Sequence, residues 1–294
     1  MFPNGVVTED DPGLFRMMTE QQKPPPSQVD MLAGRTPDIR LNGLLAAREE
    51  GLAKQDRITR SGVIWAADRI FLNDQLQAGA VPAAIRPIVA AGRLDRVGEM
   101  GMSFGGATAG TLCVVDPRCA AGINLDGGDF PFQAVNRRMR APFLMFHSDL
   151  ANFHRAVGLK PPAQPRSFNS FSYEPIAEAG RAPDLYRVQL KGARHLGLSD
   201  FSLFMRRPLR DPVFGDTPAS VMIGAQNDYV RGFFDRYLRG LDNGFPKPQA
   251  QAYADWVSPV SNDDLPAWWA KKTPEEKAAI EARIETDRGA SPVG

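Results

Sequence analysis

A serine stands between glycines in GEMGMSFGGATAG, residues 98–110, as Gly101-x-Ser103-x-Gly105. A hydroxyl is a weak nucleophile. It needs a base to take its proton, a group to hold that base, and N–H donors for the charge that develops on the substrate oxygen. By average composition the Gly-x-Ser-x-Gly spacing arises by chance in roughly one chain of this length in ten, so its surroundings decide its weight. Ser103 follows the strand-like run LDRVGEM and precedes the small residues Gly105, Gly106, Ala107, Thr108 and Ala109. That is the strand–turn–helix setting in which a reactive serine is presented on a sharp turn. The flanking glycines have a steric reason, because side chains two residues to either side would collide across such a turn. The competing reading is a tight structural turn that happens to contain a serine.

The candidates for a base are the chain's 3 histidines, His147, His154 and His195. His195, in KGARHLGLSDF, comes just after the strand-like LYRVQL, where a strand ends and a loop begins. Sites in α/β proteins gather their polar groups there. His147 closes the apolar run FLMFH and His154 lies in the segment after it, so both read as packing or loop. Two acids end strand-like runs: Asp126 in GINLD and Asp149 in FLMFHSD. Either can hold an imidazole, and either can be a helix cap or turn former. Spacing does not choose between them.

These residues need elements to position them. Residues 1–40, with Pro24, Pro25 and Pro26, show no sustained period and read as loop or arm, with room for a short helix. From Leu41 to Leu76 the pattern is helical, with Val63, Ala67, Ile70 and Phe71 at three-to-four spacing. From residue 94 the chain reads β-α-β: LDRVGEM, a helix over Phe104 to Val115, AAGINLD from 120, APFLMFHSD from 141 and LYRVQLKG at 185–192. The Pro- and Ser-rich stretch 151–184 is long for a plain connection and reads as a lid or binding loop. Its Phe153, Phe168, Phe171 and Tyr173 suit an apolar pocket wall or a core equally.

Further on, Phe233, Phe234, Tyr237, Leu238 and Leu241 form an apolar helical stripe ending at Gly244. KTPEEKAAIEARIE carries a capping box from Thr273 to Glu276, with Pro274 at the first helical position. No internal repeat occurs. The expected organisation is a loop-rich N-terminal arm and helix over 1–57, an α/β core over 58–258 with the lid-like excursion 151–184, and a helical tail over 259–294.

Composition narrows the partners. The 294 residues are 43% hydrophobic, enough for a sizeable core. Lys plus Arg number 35 against 34 for Asp plus Glu, without long runs of one sign, so the footprint of a nucleic-acid or acidic-membrane binder is missing. Small neutral molecules are the expected partners. No apolar run approaches the length of about eighteen residues that a membrane helix needs. The opening MFPNGVVTEDD lacks the basic and apolar regions of a signal peptide. As written, the chain is expected to stay in the cytoplasm, with secretion or a periplasmic location open if its start lies further upstream. Cys113 and Cys119 are too few for a disulfide framework or a cysteine-built metal site and read as small apolar residues. No metal or cofactor is expected, and oligomeric state is not legible.

The stretch GMSFGGATAGTLCVVDPRCAAGINLDGGDFP, followed by Arg194-His195 and Ser199-Asp200-Phe201, resembles a known family. It is similar to α/β-hydrolases of the platelet-activating factor acetylhydrolase (isoform II-like) type and their bacterial relatives, over roughly residues 58–245. The resemblance implies an α/β-hydrolase fold, a mostly parallel sheet flanked by helices. It also implies roles: Ser103, in Gly-x-Ser-Phe-Gly-Gly, as nucleophile; Asp126, in a motif like Gly-Ile-x-Leu-Asp, as the acid; His195 as base; and Asp149 as the second choice of acid. The Phe104 N–H is then an oxyanion donor. The implied activity is serine carboxylic ester hydrolysis of acetylhydrolase or lipase type, through an acyl-enzyme, on a small ester or lipid-like substrate.

The chain departs from the family pattern in places. The early strands and the His-Gly oxyanion loop are not seen ahead of Ser103, and MFPNGVV resembles the family's internal segment just after those strands, so the fold is expected to be N-terminally truncated. Met102 stands where the family usually has histidine, and Glu99 interrupts a strand expected to be apolar, where a buried carboxylate needs a partner. Losing an oxyanion donor costs about a hundred- to a thousandfold in rate. Two alternatives therefore stand beside the esterase: a catalytically degenerate hydrolase fold acting as a binding or interaction module, and an α/β-hydrolase acting on a polyester, amide or lactone.

Overall fold

The computed structural model describes residues 24–54 and 57–290. Its helices are α1 (Pro26–Ala33), α2 (Pro37–Lys54), α3 (Arg57–Gln77), α4 (Arg86–Ala91), α5 (Phe104–Val115), α6 (Leu150–Ala156), α7 (Arg207–Phe214), α8 (Ala219–Tyr237), α9 (Lys247–Ala252), α10 (Asp264–Ala270) and α11 (Pro274–Gly289). The strands β1 (Val97–Met102), β2 (Cys119–Leu125), β3 (Phe143–His147), β4 (Leu185–Leu190) and β5 (Val257–Pro259) form a 5-stranded sheet in the order β1-β2-β3-β4-β5. Neighbours from β1 to β4 run parallel, and β5 is antiparallel to β4. This is an α/β-hydrolase fold. The expected strands are present with shifted ends: β1 starts at Val97 because Arg96 N–H bonds back to the Arg93 carbonyl in a turn. β2 and β3 are almost wholly buried, as parallel strands covered on both faces must be.

Alternation along the strands divides the core. Ile123, Leu125, Leu144 and Phe146 face α8, where they meet Met222, Ala225, Tyr229 and Phe233. Each fully buried side chain of this size contributes about 1.5–3 kcal/mol of hydrophobic transfer. The helical stripe expected at 233–241 stops sooner: α8 ends at Tyr237, Gly240 takes φ +71° and Leu241 is exposed, so Leu238 and Leu241 lie beyond the helix. The opposite sheet face receives α5, with α3 packed over it. Cys113 and Val114 of α5 pack with Phe143, Met145 and Tyr173 there.

The terminal helices build a further apolar cluster. Leu41 and Leu45 of α2 pack with Leu265 and Trp269 of α10 and Ile284 of α11, over Phe132 and Phe171. An Arg40–Asp264 ion pair at 2.7 Å and a bond from Trp268 Nε1–H to Asp38 Oδ2 at 2.7 Å fix their orientation. Of residues 1–40, expected as loop or arm with room for a short helix, 1–23 lie outside the described residues, and 26–33 and 37–40 are helical, with Pro26 and Pro37 at helix starts, where a missing N–H costs nothing. The Thr273–Glu276 capping box is present as expected. Within the long segment 151–184, Phe171 and Tyr173 belong to the core, and Tyr173 stacks on Phe143 with ring centres 4.9 Å apart.

Two features near β1 concern the sequence reading. Cys113 and Cys119, expected as ordinary apolar residues, form a disulfide, with Cα atoms 5.0 Å apart. Two cysteines make no framework, but one bridge requires only that the turn from α5 into β2 bring their Cβ atoms face to face. Glu99 is 1% exposed and paired, accepting from Asn73 Nδ2 at 3.0 Å and facing an Arg69 guanidinium nitrogen at 2.8 Å. Both partners come from α3. Burial still pushes its carboxyl above the ordinary value, against the pull of Asn73 and Arg69. Among the described residues β1 pairs only with β2, and no helix is long and apolar enough to cross a membrane.

The bridge closes a short loop between Cys113 and Cys119. Replacing both cysteines with Ala should therefore cost about 2 kcal/mol. Denaturant titration should show a lower midpoint at unchanged slope, and the denatured, unreduced wild type should take up no thiol reagent.

Candidate active site

Ser103 stands between the end of β1 and the start of α5 with φ +55° and ψ −122°, outside the regions an L-residue normally occupies. Such a conformation costs about 1–3 kcal/mol and persists only where the surroundings enforce it. Its N–H donates to the Leu125 carbonyl at 2.9 Å, and its carbonyl accepts from Ala107 N–H at 3.0 Å. The turn is tight enough that a Cβ at Gly101 would lie 2.2 Å from the Gly105 carbonyl carbon. At Gly105 itself a Cβ would meet nothing within 4 Å, so only the first of the two flanking glycines is sterically required, not both as the sequence suggested. The Phe104 N–H, at the first position of α5, has no intrahelical acceptor and lies at the positive end of the helix dipole.

One strand over, Asp126 follows β2 with φ +57° and is 5% exposed. His195 Nδ1 lies 2.8 Å from Asp126 Oδ2. A carboxylate only accepts, so the proton is on Nδ1 and Nε2 is left for other work. Ser148 binds the same carboxylate twice, donating from N–H to Oδ1 at 3.0 Å and from Oγ–H to Oδ2 at 2.6 Å. Burial alone would raise the Asp126 carboxyl, but the imidazoles of His147 and His195 hold it well below the usual carboxylate range. In return the hydrogen bond that His195 donates to Asp126 raises His195 above 6.5, against the opposing effect of burial. His195 is held in place by its neighbours: Ala193 bridges Gly215, and Arg194 N–H donates to the Phe214 carbonyl at 2.9 Å.

The other candidates are engaged elsewhere. Asp149 caps α6, with Oδ1 accepting from Ala151 and Asn152 N–H and Oδ2 from Gly192 N–H at 2.8 Å. His154 is fully buried, with its ring nitrogens on the carbonyls of Leu150 and Leu32. His147 ends β3, buried, with Nδ1 3.8 Å from Asp126 Oδ1. Ser148 escaped the sequence reading, since a serine between His147 and Asp149 carries no pattern of its own. Asn124 escaped it too. Its amide clamps the backbone of Gly127, accepting from the N–H at 2.7 Å and donating to the carbonyl at 2.8 Å. This holds Gly127 so close to the elbow that a Cβ there would lie 2.1 Å from the Ser103 carbonyl oxygen.

Aromatic rings extend from the elbow. Phe104 stacks on Phe130 at 4.6 Å and lies 5.6 Å from Trp65 of α3. A Cβ on Gly128 would meet Phe168 at 2.8 Å and Phe130 at 3.3 Å, and Phe168 in turn lies 5.2 Å from Phe153. Phe153 and Phe168 thus belong to an aromatic surface beside Ser103, whereas Phe171 and Tyr173 do not. Among the described residues no group of three His, Cys, Asp or Glu is placed to hold a metal ion.

No protein-family model matches the chain. Over 180 residues it is 28% identical to a probable 1-alkyl-2-acetylglycerophosphocholine esterase of Arthroderma benhamiae, covering 55% of this chain and 43% of that protein. The chain therefore spans less than half the length of this curated relative. Its fold is also similar to a ferulic acid esterase from Streptomyces cinnamoneus, with a TM-score of 0.44 and 21% identity over 71% of this chain and 58% of that one.

The strain at Ser103 is measurable. Glycine tolerates the observed backbone angles and alanine does not, so Ser103→Gly should be more stable than Ser103→Ala by about 1 kcal/mol despite glycine's entropic cost. Denaturant midpoints of the two variants give the difference.

Proposed function

We propose that the chain is a serine carboxylic ester hydrolase working through an acyl-enzyme. The observation that carries this reading is the 2.8 Å contact of His195 with buried Asp126, at the end of the strand next to the strained Ser103. In the proposed reaction Ser103 Oγ attacks the ester carbonyl carbon while His195 Nε2 takes the hydroxyl proton. Asp126 keeps the Nδ1–H tautomer and stabilises the imidazolium. The oxyanion of the tetrahedral intermediate accepts from the Phe104 N–H. As the intermediate collapses, the C–O bond to the alcohol breaks and His195 returns the proton to it. Water then attacks the acyl-Ser103 ester with His195 again as base, releasing the carboxylic acid and free Ser103.

The ester proposed is a small-acyl or lipid-like one with an apolar portion. Support comes from the aromatic rings beside Ser103 and from the segment after His195, where Phe201, Phe204 and Leu209 are 71%, 83% and 70% exposed. The acetyl ester in the name of the Arthroderma benhamiae relative agrees with a small acyl group.

Hydrolysis of short chromogenic esters tests the proposal. Ser103→Ala should lower kcat by about a thousandfold or more. Wild-type chain that releases product no faster than this variant would leave a non-catalytic, binding fold as the correct reading. The pH profile carries a second prediction. His195 acts as base only when unprotonated, and Asp126 raises its pKa above 6.5, so kcat/KM should fall as the pH drops through a midpoint above 6.5. Asp126→Asn should slow the reaction by about 10⁴-fold and move that midpoint downward.

A further inference from the structure

Asp126 has another neighbour that the proposed reaction does not use. Its Oδ2 accepts from His195 and from Ser148 Oγ–H, whereas among the described residues its Oδ1 accepts only from Ser148 N–H. A carboxylate oxygen can take a second donor. His147 Nδ1 stands 3.8 Å from Oδ1, just beyond hydrogen-bond length. The ring is 1% exposed, and neither of its nitrogens has a hydrogen-bond partner among the described residues. A buried polar group left unsatisfied costs about 1–3 kcal/mol, so a pair of orphan nitrogens beside a buried carboxylate calls for a physical reason. Local folding supplies part of it. Asp126 N–H donates to the Phe146 carbonyl at 3.0 Å, which ties the acid to the end of β3 and sets it beside the next side chain, His147.

We propose that His147 is a positioning residue for Asp126, its Nδ1–H aimed at the open side of Oδ1 and closing to a hydrogen bond with the ionised carboxylate. The proposal rests on the hydrolase reading above. Ser148 and His147 then hold the carboxylate from both sides, so that Oδ2 keeps facing His195 Nδ1 while His195 takes and returns the proton. Among the described residues the titratable side chains acting on Asp126 are His195 and His147, and the one acting on His195 is Asp126. A donor lost from Oδ1 therefore reaches His195 through Asp126 alone. With less of its charge neutralised, Asp126 should hold the His195 proton more tightly.

The first test is on the wild-type chain. Nitrogen-15 NMR of labelled histidine should show His147 with its proton on Nδ1, and a proton on Nε2 alone overturns the proposal. The second compares His147→Phe, which keeps the ring volume without a donor, with His147→Asn, whose Nδ2 falls near the position of the imidazole Nδ1. The Phe variant should lose about tenfold in kcat at nearly unchanged KM and titrate His195 at higher pH, and the Asn variant should restore most of both. Equal behaviour of the two variants, in either direction, overturns the proposal. Should the Phe variant not fold, His147→Met takes its place. The NMR titration of His195 needs no turnover, so it decides the role of His147 even where the Ser103→Ala comparison has already removed the hydrolase reading.

Discussion

A negative charge inside a protein must be surrounded by donors, and the ends of the central strands are organised around one such charge, the carboxylate of Asp126. Desolvation opposes its ionised form, and the hydrogen bonds of Ser148 and His195 together with the nearby His147 reverse that preference. None of these partners is near Asp126 in the chain, and His195 is 69 residues away. Each arrives because parallel strands in sequential order bring their carboxyl ends to the same edge of the sheet. The order of the sheet and the solvation of one carboxylate are in this sense a single constraint.

The elbow shows the complementary requirement, for close approach rather than charge. Ser103 occupies a conformation that residues with side chains avoid, and the turn stays closed because Gly101 and Gly127 let backbone atoms come where a Cβ would not fit. Asn124 locks the second of these contacts by binding both the N–H and the carbonyl of Gly127. A polar side chain on a buried strand is thereby satisfied by the loop it restrains and by the Tyr173 hydroxyl, to which Nδ2 also donates at 3.1 Å. The same loop carries Phe130 to the face of Phe104. Strain at the serine and the aromatic surface beside it therefore share one support.

At β1 the fold meets a local conflict and resolves it with a helix. The strand carries glycines and a glutamate where an apolar residue was expected, yet Glu99 is buried and paired with Asn73 and Arg69 of α3. The same helix places Trp65 against Phe104. α3 thus serves the elbow from two sides, by neutralising the strand before it and by packing against the residue after it. The terminal helices have a different task, closing their own apolar cluster over Phe132 and Phe171 and so anchoring the loops beneath.

Sequence alone determined what depends on neighbours in the chain. The Gly101-x-Ser103-x-Gly105 turn, the strand segments around 97, 119, 143 and 185, the helix after Ser103 and the Thr273 cap follow from local period, steric limits and capping chemistry. His195 was legible as a candidate because it follows a strand. Residues alone left Asp126 and Asp149 equivalent, since both end strands; their difference is one of partners, with Asp126 bound to His195 and Asp149 capping α6. The family resemblance preferred Asp126, and the tertiary structure alone supplied the partners that separate the two, along with the Cys113–Cys119 bridge, the pairing of Glu99 and the places of Ser148 and His147. The reason is physical: period and propensity report which face of an element is buried, but which polar groups meet on the buried side depends on how separate elements pack, and residues far apart in the chain leave no local trace of that.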